Sequence, residues 1–183
     1  MDTKSHKIAG VGVLVALAMV LSYLESLIPI SLGIPGIKLG LSNVVTLFAL
    51  YQFGGGIAFG VAVCRIVLCG VTFGSLSTML YSFAGGLLSF AVMFVLKKTE
   101  KFSIYGISIA GGVMHNVGQL LVAAYVMQTA KIIYYMPVLL VAGTLAGAAI
   151  GILGAMIAGS IHKHKNRIIE ICLAHTTRDE TEK

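Results

Sequence analysis

The sequence predicts an all-α integral membrane protein of six transmembrane helices, and three observations carry that prediction. Of its 183 residues, 57% are hydrophobic and 11% charged, where an ordinary soluble domain carries about 25% charge. The low-charge stretch from Ile8 to Ile161 has room for six spans of about 20 residues each. Runs such as VGVLVALAMVL and VLLVAGTLAGAAIGILGAMIAG lack the apolar–polar alternation of a transmembrane β-strand. The same composition excludes disordered, collagenous and disulfide-framework classes. Twenty-two glycines against three prolines, set inside apolar segments, suit helices packed closely in lipid.

Charge and Gly/Pro punctuation place the helices at Ile8–Ile28, Leu39–Phe53, Gly56–Val71, Ser75–Leu96, Ile104–Thr129 and Tyr134–Ile161. The second and third are short, as expected where helices enclose a cavity or lie deep in a bundle. Lys4 and Lys7 precede the first helix, Lys97, Lys98 and Lys101 follow the fourth, and Lys163, Lys165 and Arg167 follow the sixth. With six spans these groups share one side, opposite Lys38 and Lys131, and the positive-inside bias puts both termini in the cytoplasm. The tail at 162–183 is basic with an apolar cluster at Ile168, Ile169, Ile171, Cys172 and Leu173, a pattern open to a short interfacial helix. The first helix continues past its Ala16-Leu17-Ala18 triplet to Ile28, so it reads as a span and not as a cleaved signal peptide. Gly12 and Ala16 form a small-xxx-small pair on that helix, a face for close helix approach inside the chain or to a partner subunit.

The net charge of +6 resides mainly in the ends and one loop, which indicates membrane topology and no nucleic-acid partner. Cys64, Cys69 and Cys172 form no CxxC, so neither a metal site nor a disulfide framework is expected. The only aspartates, Asp2 and Asp179, lie in the tails. Without a DDxxD motif the chain has no carboxylate pair for Mg²⁺ and a diphosphate, and without GxxxxGK[ST] it is no P-loop ATPase.

The informative residues are polar groups where hydrocarbon penalises them. Arg65 lies nine residues into the third helix, about 14 Å deep. His115, eleven residues into the fifth, reaches a similar depth from the same side. Glu25 lies near the outer end of the first helix and Lys38 just before the second. Asn43, Tyr81, Asn116 and Gln119 complete the candidate ligand-binding set, and the four-residue spacing of His115 and Gln119 places them on one helix face. Pro29 to Ile37 would roof this pocket. Arg65 reads either as structural glue beside Glu25 or, with Lys38, as the contact for a carboxylate or phosphate. A small amphipathic anion, an isoprenoid phosphate, a flavin or a quinone-like molecule would all fit such a pocket.

Four stretches, LSYLESLIPI at 21–30, GIPGIKLGLSNVVTL at 33–47, FGSLSTMLYSFAGGLLS at 73–89 and SIAGGVMHNVGQLLVA at 108–123, resemble the Gx transporter family, also labelled heptaprenyl diphosphate synthase component I. The resemblance spans about Lys7 to Gly159. It implies a bundle similar to the substrate-binding S components of energy-coupling factor transporters in a bacterial cytoplasmic membrane. Small residues on helix one, here Gly12 and Ala16, would meet a transmembrane coupling subunit that works with ATPases. The family resemblance also implies an alternative, a membrane subunit of extracellular electron transfer with a non-covalent flavin or quinone and an extracytoplasmic FMN-binding partner. A third is component I of a prenyl diphosphate synthase.

Overall fold

The computed structural model describes residues 3–27 and 40–181, with side chains of the last helix described to Ile157. Lys38 and the roof segment 29–37 lie outside the described residues. The chain forms α1 (Thr3–Leu27), α2 (Asn43–Gln52), α3 (Gly55–Thr72), α4 (Leu76–Lys98), α5 (Ile104–Val126), a 3-10 segment (Ala130–Tyr135) and α6 (Met136–Thr181). No strand occurs among the described residues. Five of the six helices are long and apolar enough to cross a membrane, and α2 is the exception.

With ten residues, α2 is about 15 Å long, half the hydrocarbon thickness of about 30 Å. Seven of those ten residues are buried. A helix enclosed by protein can be short because its end groups face other helices instead of lipid. The sequence prediction began this helix at Leu39. The structure starts it at Asn43, because Gly40 adopts a left-handed φ of 82° and ends any continuous α-helix at that point. Gly54, at φ 89°, makes the tight turn into α3.

The remaining boundaries follow local chemistry. At the start of α4, Ser75 Oγ accepts from the Thr78 amide while Thr78 Oγ1 accepts from the Ser75 amide, a reciprocal capping box. At α5, Ser103 Oγ accepts from the Gly106 amide. That helix stops at Val126, three residues earlier than its pattern suggests, and Gln128 at φ 49° turns the chain. Pro137 sits in the first turn of α6, where its missing N–H costs nothing. The helix then runs unbroken to Thr181, so Ile161 marks where apolar composition ends and not where the helix does.

Contacts between named residues orient the bundle. Ile57 lies beside Val11, Arg65 beside Ser22 and Phe73 beside Tyr23, so α1 and α3 run parallel. Between them α2 runs the opposite way, with Gly40 against Glu25 and Phe53 near Gly10. The later helices alternate, and Lys7 and Lys97 come to the same end of the bundle. Lys97 Nζ donates to the Leu50 carbonyl at 2.5 Å and lies 4.8 Å from the centre of the Tyr51 ring, closing the C-terminal end of α2. Exposed Tyr23, Tyr125 and Tyr134 lie toward the other end, as expected of an interfacial aromatic belt.

Glycine sets the closest approaches. A Cβ on Gly147 would stand 2.6 Å from Ile109 Cα, so α5 and α6 touch backbone to backbone, and Ser108 Oγ donates to the Gly147 carbonyl at 2.7 Å across the same seam. The repeated S-x-A-G-G pentapeptides at 82–86 and 108–112 have a common use. Gly85 and Gly86 of α4 receive α5 and α3 respectively, and Gly111 and Gly112 of α5 receive α4 and α6.

Candidate functional site

The polar groups that hydrocarbon would penalise gather at one level, between α1, α2, α3 and α5. Glu25 on α1 is buried and its Oε1 accepts the Gly40 amide at 2.5 Å. Gly40 lies so close to α5 that a Cβ there would be 2.9 Å from His115 Cδ2 and 3.1 Å from Asn43 Nδ2. Asn43 Nδ2 in turn donates to Ser89 Oγ of α4 at 3.4 Å.

The four-residue spacing of His115 and Gln119 gives the contact it predicts, Gln119 Nε2 to His115 Nε2 at 2.7 Å. With the amide nitrogen facing the ring, Gln119 donates and Nε2 accepts, which assigns the imidazole proton to Nδ1. That nitrogen lies beside Gly85, 3.0 Å from where a Cβ there would stand, and is buried without a hydrogen-bond partner among the described residues.

Arg65 is 5% exposed. Its Nη1 donates to Ser22 Oγ at 3.3 Å, the one hydrogen bond it makes among the described residues, while Nε and Nη2 are buried without a hydrogen-bond partner. Glu25 and Cys69 are close enough to act on the guanidinium electrostatically. A slot between α1, α3 and α4 borders it, lined also by Ser22, Cys69, Gly70, Thr78 and Ser82.

The candidate set divides on this geometry. Glu25, Asn43, Arg65, His115 and Gln119 converge. Tyr81 faces away, packed with Leu120, Ala123, Ile132 and Leu139 in a second apolar cluster. Asn116 is directed to α6, where Nδ2 donates to the Leu139 carbonyl at 2.8 Å. Sequence reading missed Ser22, Gly40, Cys69 and Ser89. Ser22 was findable, since it lies three residues before Glu25 and so on the same helix face. Cys69 was findable in the same way, four residues after Arg65 on one helix face, whereas Ser89 carries no such mark because its partner Asn43 comes from another helix.

Gly12 and Ala16 are both exposed, and a Cβ on Gly12 would meet nothing within 4 Å. Among the described residues, no helix covers either one.

A family model described as heptaprenyl diphosphate synthase component I matches residues 14–157. The chain belongs to that family. The match covers α2 to α5 entirely, with most of α1 and the apolar part of α6, and so includes every convergent residue named above. No curated protein and no solved structure matches the chain. Fold and family together make it a multi-span membrane protein.

Proposed function

We propose that this protein is the ligand-binding membrane subunit of a larger assembly, capturing a small anionic or amphipathic molecule in the polar centre of its bundle. The observation that carries this reading is Arg65, a buried guanidinium with two nitrogens lacking hydrogen-bond partners beside a slot. Burying unmatched N–H groups on a cation costs several kcal/mol in principle. An arriving carboxylate or phosphate offsets that cost by accepting from the guanidinium fork. Glu25, Asn43, His115 and Gln119 supply the surrounding polar frame, and Lys38, outside the described residues, remains a candidate second cation. Having no P-loop, the chain depends on partner subunits for energy, and the open face at Gly12 and Ala16 suits a transmembrane coupling subunit.

Native mass spectrometry of protein in mild detergent, wild type against Arg65→Ala, tests the reading. A small molecule bound to wild type and absent from the variant is expected. The reading fails if both proteins carry the same molecule, or if neither carries one in the presence of its partners. A yellow or quinone chromophore would make the subunit part of an electron-transfer assembly with an extracytoplasmic flavoprotein.

The family match supports a second reading, component I of a heptaprenyl diphosphate synthase. Among the described residues no three His, Cys, Asp or Glu side chains gather to hold a metal, and the sequence has no DDxxD motif to hold Mg²⁺ on a diphosphate. On this reading it would bind the amphipathic diphosphate or its product while a second, aspartate-rich chain carried out prenyl transfer. Prenyl transfer by that second chain should then depend on this subunit, and indifference to it sinks the idea.

A further inference from the structure

We propose that the slot beside Arg65 is an oxyanion subsite, admitting one oxygen of the ligand's terminal carboxylate or phosphate between α1, α3 and α4. The inference rests on the ligand-binding reading above and narrows its ligand class. The free volume beside Arg65 is about 10 Å³, space for one water or one ligand oxygen. A flavin ring or a quinone head does not fit so narrow a space, whereas one oxygen of a slender group can enter beside Arg65.

The lining chemistry agrees. Ser22 Oγ accepts from Arg65 Nη1, so its hydroxyl proton can be given to an anion, and Ser82 adds a second hydroxyl. Ile66 and Met79 share the wall with Gly70 and Gly74, and among the described residues no carboxylate lines the slot. Glu25 acts on the guanidinium electrostatically, and its Oε1 accepts the Gly40 amide. A guanidinium together with hydroxyl donors recognises an oxyanion and not a cation or an uncharged ring.

Cys69 is one helical turn beyond Arg65 on the same face and also lines the slot, so it reports on occupancy. Full-length Cys64→Ser, Cys172→Ser protein in dodecyl maltoside would be treated with an anionic methanethiosulfonate. The Cys69 thiolate attacks the reagent's sulfenyl sulfur, forming a mixed disulfide and expelling methanesulfinate, and the thiol proton passes to buffer. Labelling rates are compared in inorganic phosphate, dodecyl phosphate and chloride of equal ionic strength. Either phosphate should slow labelling by about tenfold relative to chloride, and Arg65→Gln should abolish that protection. A much lower effective concentration for dodecyl phosphate identifies an amphipathic ligand, and equal potency a free anion.

Labelling indifferent to both phosphates overturns the proposal, as does protection that survives Arg65→Gln, or a Cys69 that reacts only after denaturation in detergent. If Arg65→Gln does not fold, as judged by gel filtration and melting, Ser22→Ala decides by weakening or sparing the protection. A ligand found by native mass spectrometry with no effect on Cys69 removes the subsite and leaves the ligand-binding reading standing. Protection without any retained ligand does the reverse.

Discussion

The Glu25 carboxylate accepts the backbone amide of Gly40 at 2.5 Å, joining the end of α1 to the approach of α2 across the segment 28–39. This contact fixes where α2 begins, and with it the position of Asn43, without relying on a long helical span. A hydrogen bond to a charged group is worth about 1.5–3 kcal/mol. Glu25→Ala should therefore destabilise the protein by about that amount, and Glu25→Gln by less because its carbonyl oxygen still accepts the amide. Thermal melting in detergent checks the order, and equal melting temperatures for all three proteins would show that the bond contributes nothing.

Gly40 should tolerate no side chain. Its φ of 82° costs an L residue about 1–2 kcal/mol, and a Cβ would meet the His115 ring at 2.9 Å. Gly40→Ala is expected to lower the melting point sharply, and adding His115→Ala should recover the steric part and leave the backbone part. Full additivity in that double-mutant cycle would mean the two residues do not touch.

Two glycines should respond oppositely to alanine. Gly147→Ala forces α5 and α6 apart at Ile109, and loss of folded, monodisperse protein on gel filtration is expected. Gly12→Ala meets open space and should raise helix stability by about 0.8–1 kcal/mol. If a coupling subunit docks on this face, Gly12→Leu will reduce its co-purification while melting stays near the wild-type value. Retention of the partner at wild-type yield would place the interface elsewhere.

Lys97 should matter through its reach and not its charge alone. It donates to the Leu50 carbonyl and lies over Tyr51, so Lys97→Met, which keeps the stem and removes the donor, is expected to cost about 1–2 kcal/mol. Hydrogen exchange of α2 provides the local readout. Faster exchange in α2 than in α5 would mark the loss of its cap, and unchanged exchange in α2 would show that the lysine is only an interfacial anchor.

How far the sequence could be read depended on whether the cause was local. The convergent residues Glu25, Asn43, Arg65, His115 and Gln119 were all legible as polar groups at depth, since the penalty of lipid applies to each residue separately. Their division from Tyr81 and Asn116 was not. Tyr81 and Asn116 are equally buried, but their directions depend on where α5 and α6 lie, and the Gly112, Gly143 and Gly147 seam decides that.

Composition and hydropathy alone determined that this chain is a helical membrane protein with several spans, because the bilayer demands internally satisfied backbone and long apolar stretches. The four-residue spacing of His115 and Gln119 likewise determined their contact, since helical geometry is local. Only the tertiary structure decided that α2 is a buried half-length helix, that Ser22 and Cys69 share a slot with Arg65, and that Glu25 holds Gly40. Each of those facts joins residues 15 or more positions apart or rests on helices from several parts of the chain, and such contacts are set by how closely the glycine-bearing helix faces pack.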